Sequence, residues 1–468
     1  MNPRRASALA LLAMMAFVLA DVVFPAEQIR WAARVLLLAY VMLEWRPMAG
    51  NARIMVAVAA AMTVTYGLMH DQPWAALAQA CDHATFFATF FANQFFLREA
   101  ARSSPLVQRC SSLFIDQKPA RRYLLLTIGG YLFGIIVNLG VLSLLGQMIA
   151  KRNTLAAADG NHPLFQRRRQ RMALALLRGF SITPVASPLS LSLAVVLTAL
   201  PDLHWSRMVV LGLGSGAIIL GLGYAQDRLS APLRVPVPSL AVPVRHDYRA
   251  LLGIIAIVLM VLGVAKALEY GAQIAPSRAI LLALPTIGLG WLAQQYLRFP
   301  PAHMIRLLAR RITKRATKSF PAYRSEVSIL ASAGFIGSLF SAFVPPELLS
   351  QVLTSHWLPE MALAPMLMAI VIMAGLLGIN PIVVVTIGAS TLKAVPVLPV
   401  PAELLALAMM IGWSMAINTS ALTASAMLLA DIIGERKAST IIGWNAATAA
   451  ATALVFAVLL AAGTALSG

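Results

Sequence analysis

The sequence predicts an all-α polytopic membrane protein, with about 12 transmembrane helices plus two re-entrant helical hairpins set in inverted repeats. Of 468 residues, 59% are hydrophobic and only 12% charged, and apolar runs of roughly 17–25 residues recur throughout, the length a helix needs to cross hydrocarbon. The basic residues lie between these runs: 25 of the 37 Lys and Arg fall in 98–122, 151–178, 226–249 and 297–326, as expected of cytoplasmic loops beside anionic lipid. Two runs, 121–152 and 403–430, carry polar residues at their centres. The net charge of +19 is spread among loops and does not form one basic face, so no nucleic-acid partner is expected.

Residues 1–30 form an N-terminal helix, read as a signal anchor, with Arg4 and Arg5 ahead of an apolar core. Residues 31–230 make the first repeat, with spans near 32–46, 52–70 and 74–97. The next run, RRYLLLTIGGYLFGIIVNLGVLSLLGQMIAKR, has basic pairs at both ends. A single crossing would export one basic end and change the side of every later loop, against the bias of Lys and Arg toward the cytoplasm. A hairpin over 122–150 keeps both ends inside. Its arms, Tyr123–Val137 and Gly140–Ala150, reach roughly 22 and 16 Å, about the middle of a ~30 Å core. The alternative is one tilted helix packed through its glycines. The exterior loops then hold His70-Asp71, Asp202 with His204, and Glu347 with His356.

A helix over 172–200 follows, broken where Thr183-Pro184-Val185-Ala186-Ser187-Pro188 removes backbone donors at both prolines, and then a span near 206–225. Residues 231–325 supply connecting spans near 249–270 and 278–296 and the segment 303–320, whose apolar spacing and six basic residues describe an amphipathic helix on the inner leaflet, with membrane lipid as its partner. Residues 326–468 make the second repeat: spans near 327–345, 361–379 and 382–397, a second hairpin over 403–430, and a helix over 440–466 broken near Gly443 and Asn445. Asn138-Leu139-Gly140-Val141-Leu142-Ser143 can be laid over Asn418-Thr419-Ser420-Ala421-Leu422-Thr423. The inverted repeat rests on that overlay.

Broken helices at mid-membrane expose backbone groups that survive only in protein or beside a polar cavity. Half-helix ends and side-chain oxygens make such points suited to ions. The candidate solute and ion ligands are Asn138, Gly140, Ser143, Thr183, Pro184, Ser187, Pro188, Asn418, Thr419, Ser420, Thr423 and Asn445, with Na+ as a coupling ion at Asn138 and Asn418 and no other metal or cofactor. Asp82 and His83, inside the 74–97 span, are the proton-coupling candidates. Arg178 is read as an anchor at the inner interface, with anion holding as its second reading.

Two halves, each with an Asn-hydroxyl tip followed by a broken helix, resemble the ion transporter superfamily of divalent-anion/sodium symporters, citrate carriers and arsenite-permease-like proteins. Ile417-Asn418-Thr419 keeps two residues of that family's Ser-Asn-Thr tip and Val137-Asn138-Leu139 keeps one. The resemblance implies a homodimer with a scaffold domain and a mobile transport domain, carrying a small anionic solute with Na+ or H+ by an elevator motion across a bacterial-type inner membrane. No P-loop, HExxH, CxxC or nucleophile elbow is present, so no enzyme is expected. The competing readings are a membrane-embedded enzyme for a lipid-linked substrate and a non-transporting component of a cell-envelope assembly.

Overall fold

The computed structural model describes residues 3–115, 117, 119–200, 202–230, 248–345, 347, 351, 359–395 and 398–467. His356 and most of the basic stretch 226–249 lie outside the described residues. Among the described residues there is no strand. The helices are α1 (Pro3–Val23), α2 (Glu27–Glu44), α3 (Gly50–Met69), α4 (Trp74–Arg102), α5 (Pro105–Ile115), α6 (Pro119–Val137), α7 (Gly140–Arg152), α8 (His162–Ser181), α9 (Thr183–Ala186), α10 (Leu191–Ala199), α11 (Trp205–Leu229), α12 (Tyr248–Gly271), α13 (Pro276–Gln294), α14 (Pro301–Ala322), α15 (Arg324–Phe343), α16 (Glu360–Leu376), α17 (Pro381–Lys393), α18 (Ala402–Thr419), α19 (Ala424–Ile433) and α20 (Ala438–Ser467). Among the described residues nine helical stretches are long and apolar enough to cross a membrane.

Local chemistry sets the boundaries. Asn161, Ser190, Asn380 and Thr423 cap α8, α10, α17 and α19 by accepting a backbone N–H two or three residues on. Gly434 closes α19 in the left-handed region at φ 75°, where a glycine is least strained. The amphipathic α14 is pinned by Glu99 of α4, which accepts from Arg311 at 3.0 Å and lies 3.3 Å from Arg315. α4 and α15 pack together at the centre, with α3, α13 and α17 around them.

The run 121–152 reverses direction. Arg178 of α8 donates to the Tyr123 hydroxyl of α6 at 2.8 Å, and farther along Gly130 abuts Gly179 and Gly134 abuts Thr183, so α6 runs parallel to α8. After the turn at Asn138-Leu139, α7 ends where Asn153 donates to the Phe165 carbonyl at 3.2 Å. Phe165 lies near the start of α8 and Thr183 just past its end, and α8 is a 20-residue helix and so about 30 Å long. α7 therefore returns toward the level from which α6 started.

The second reversal is not where the sequence suggested. Within 360–393, α16 runs parallel to α18, since Val371 abuts Gly412 and Gly375 abuts Ala416. α17 runs the other way, with Pro381 beside Gly375 and Gly388 against Met409. The turn is Gly378-Ile379-Asn380, with Gly378 at φ 82°. These two arms were expected as separate spans, 361–379 and 382–397.

The stretch 403–430, expected as a hairpin, runs in one direction. The helix α20 is unbroken over 30 residues. Its far end places Gly463 against Leu404, its middle places Asn445 on Asn418, and its start adjoins Glu435 in the chain, which pairs with Arg169 near the start of α8. Leu404, Asn418 and Glu435 thus descend in order along α20, and α18 and α19 are two halves of one helix broken at 420–423. The expected break near Gly443 is absent, because nothing interrupts the backbone ladder of α20 there.

Each half now has the same order of parts: a helical hairpin, then a broken helix, α8–α9–α10 or α18–α19. The halves interlock, because α10 packs on α17 of the other hairpin and α19 packs on α7.

Candidate functional site

The two breaks share one local structure. In Ser187-Pro188-Leu189-Ser190-Leu191-Ser192, the Leu189 N–H donates to Ser187, Ser190 caps the next helix through Leu193, and Ser192 donates to Ser190 at 3.1 Å. In Ser420-Ala421-Leu422-Thr423-Ala424-Ser425, Leu422 donates to Ser420, Thr423 caps through Ala426, and Ser425 donates to Thr423 at 3.2 Å. Short hydroxyl side chains stop a helix and restart it by taking over the backbone's own hydrogen bonds. A shift of 233 positions superposes the two segments and also places Gly179 on Gly412 and Ser181 on Ser414. The contacts follow: Gly130–Gly179 corresponds to Val371–Gly412, and Gly134–Thr183 to Gly375–Ala416. The overlay of Asn138–Ser143 on Asn418–Thr423 is replaced, since Asn418 corresponds to Val185.

The broken helices meet at their equivalent serines. Ser414 donates to the Ser181 carbonyl, and Asn418 donates to the Ser181 hydroxyl at 2.7 Å. Asn445 donates to both oxygens of Asn418, at 3.0 and 3.1 Å. Beside them lies Arg178, only 3% exposed. Its Nε donates to Asn445 Oδ1 at 2.7 Å, Nη1 to Tyr123 at 2.8 Å and the Gly223 carbonyl at 3.3 Å, and Nη2 to Gln226 at 2.5 Å and Thr448 at 2.6 Å. Every one of these acceptors is neutral. Arg178 is therefore not the interface anchor that its position before the Thr-Pro segment suggested; it lies at the centre of a buried polar network. A cavity of about 10 Å³ between Arg178, Asn418 and Asn445 has room for about one water.

A larger cavity, about 260 Å³, opens between α4 and α15 on one side and α10 and α17 on the other. Its polar lining includes Gln79, His83, Thr198, Ser338, Ser390 and Lys393, and Phe87 and Val195 lie on its apolar wall. Its lining contains no acidic residue. The Nδ1 of His83 is buried and has no hydrogen-bond partner among the described residues.

The candidate residues separate into groups. Asn138 donates to Gln94 of α4 at 2.8 Å and accepts from Leu139, away from the Asn418 network. Gly140 abuts Val137 at the same turn, and Ser143 is half-buried on α7. Thr183 and Pro184 lie on α9, Thr183 with a buried Oγ1 that has no hydrogen-bond partner among the described residues, and Ser187, Pro188, Ser420 and Thr423 form the breaks. Thr419 donates back to Met415 of its own helix. Asn418 and Asn445 meet. Asp82 is held by Arg34 in a bidentate pair at 2.7 and 2.8 Å, while the neighbouring His83 faces the larger cavity. Sequence reasoning missed Ser181, Ser414, Tyr123, Gln226, Thr448 and Lys393; the 233-residue repeat was the signal for the first two.

Na+ does not suit the positions first assigned to it. Both Asn418 oxygens already accept from Asn445, one step from a guanidinium whose charge would repel a cation. At Asn138 the side-chain oxygen accepts from Leu139 and the backbone carbonyl from Val141.

The fold is shared with two solved transporters. The YdaH transporter of Alcanivorax borkumensis is 14% identical, aligns over 90% of this chain and 99% of its own, and gives a TM-score of 0.58. MtrF of Neisseria gonorrhoeae, described with a class of antimetabolite efflux pumps, is 13% identical, aligns over 89% and 95%, and gives 0.55. At such identity the likeness is one of fold. No family model and no curated protein matches the sequence.

Proposed function

We propose that this chain is a secondary active transporter for a small anionic solute, driven by a proton carried on His83. The observation that carries the reading is the cavity of about 260 Å³ with Lys393 and His83 in its lining and no acidic residue to neutralise them. A carboxylate or oxyanion seated there meets one fixed cation and several hydroxyl donors. A proton on His83 and an anion beside it attract, so each promotes binding of the other, and that mutual preference is what coupling requires. The fold that this chain shares with two solved transporters supports the same conclusion.

In this reading the hairpins 119–152 and 360–393 are re-entrant, the halves are inverted repeats, and the basic loops and N-terminus face the cytoplasm of a bacterial-type inner membrane. The cavity lies where α10 and α17 face α4 and α15, so sliding of the first pair past the second carries the solute in an elevator motion. A homodimer would hold the stationary part, and the basic face of α14 would rest on anionic lipid.

The test is uptake by proteoliposomes from a panel of labelled small carboxylates and inorganic oxyanions under an imposed pH gradient. Uptake is expected to rise as the outer pH falls, to lose that dependence in His83→Gln, and to weaken about 10-fold or more in apparent affinity in Lys393→Met, the loss of one charge-assisted hydrogen bond. Uptake of none of these anions, or uptake unchanged in Lys393→Met, rejects the reading.

A further inference from the structure

We infer that Arg178 is a built-in counter-charge for the two helix ends that converge at the crossing, standing where a bound cation would otherwise be required. The helix α8 ends at Ser181 and α18 at Thr419, and these C-terminal ends meet through Ser414, Asn418 and Ser181. A helix C-terminus carries about half a negative charge, so two of them present roughly one unit, the charge of one guanidinium. At these ends Ser181, Asn418 and Ser420 are buried.

The partners of Arg178 support this assignment. Arg34, the other buried arginine among the described residues, is neutralised by Asp82 and Glu27. Arg178 has only neutral acceptors, although Asp227 stands next in the chain to its partner Gln226 and is committed to Arg171 at 2.7 and 2.6 Å. A buried guanidinium with no carboxylate needs another source of negative potential, and the two helix ends supply it. Asn445 connects them: it accepts from Arg178 and donates to the Asn418 carbonyl, so each bond polarises the next. The charge of Arg is permanent near neutral pH. The crossing is therefore balanced in every step of a cycle without loading or releasing an ion, and Na+ has no site there.

The decisive measurement needs no transport, so its failure is separate from that of the transport reading on which only the coupling consequence rests. Thermal unfolding of the purified full chain is followed in NaCl and in choline chloride of equal ionic strength. The wild type is expected to unfold at the same temperature in both. Arg178→Met is expected to unfold earlier in choline chloride and to recover saturably with Na+ or with guanidinium at non-denaturing concentration, whereas Arg178→Lys keeps most of the wild-type stability without either. Saturable stabilisation of the wild type by Na+ that disappears in Asn418→Ala overturns the inference, and so does Arg178→Met unfolding at the wild-type temperature in choline chloride. Should Arg178→Met yield no folded protein, the wild-type titration and Arg178→Lys still decide: Arg178→Lys unstable and unresponsive to Na+ and to guanidinium counts against a counter-charge role.

Discussion

Asn138 holds φ at 53°, the left-handed region, and is one of three non-glycine residues among those described to do so. Asparagine tolerates this conformation because its short amide can bond locally, and here Oδ1 accepts from the next N–H while Nδ2 reaches Gln94. A β-branched residue at the same place would carry the left-handed strain of roughly 1–2 kcal/mol and leave Gln94 unbonded. Asn138→Val is therefore expected to lower the unfolding temperature clearly, and Asn138→Gly to lower it less, since glycine loses the two hydrogen bonds but not the backbone conformation. Calorimetry of the two variants beside the wild type checks the order. The importance of Asn138 was legible from a turn signal between two apolar arms. The role of Arg178 was not, because one basic residue at the end of an apolar run reads as an interface anchor until its acceptors on α6, α11 and α20 are known.

At the scale of elements, the packing of each broken helix on its own hairpin depends on small residues at the contact. A Cβ at Gly179 would collide with the Thr127 backbone, whereas a Cβ at Gly214 on α11 meets nothing within 4 Å. Gly179→Ala is accordingly expected to cost about 1–3 kcal/mol, as overpacking does in a close-packed interior, and Gly214→Ala to cost little; chemical or thermal unfolding of both in detergent measures the difference. The polar centre of 403–430 misled the sequence reading for a physical reason. A hairpin tip and a helix break both put hydroxyls in the middle of an apolar run, and only the neighbours tell them apart. Arm length did contain the answer: α16 and α17, at 17 and 13 residues, reach only about 26 and 20 Å, short of a ~30 Å core. Asn380-Pro381 between them is a turn signal of the same kind as Asn138-Leu139-Gly140.

For the whole molecule, the arrangement makes a claim about sides. α6 leaves from the level of the His162 end of the α8 bundle and α7 returns there, while α16 leaves from the Ala402 end of α18 and α17 returns toward that end. If each hairpin dips into the bilayer from its own face, Arg121 and Lys151 share one side and Glu360 and Glu403 share the other. Single cysteines at these four positions, in a chain whose native Cys81 and Cys110 are replaced by Ser, report this directly with a membrane-impermeant maleimide on sealed vesicles of known orientation. The expected result is labelling of 121 and 151 from the cytoplasmic face only, where the clustered Lys and Arg belong, and of 360 and 403 from the opposite face only. Labelling of 121 and 151 from opposite faces would make 119–152 a full crossing, move Arg167, Arg168 and Arg169 to the exterior, and remove the opposed entry of the two hairpins on which the proposed alternating access rests.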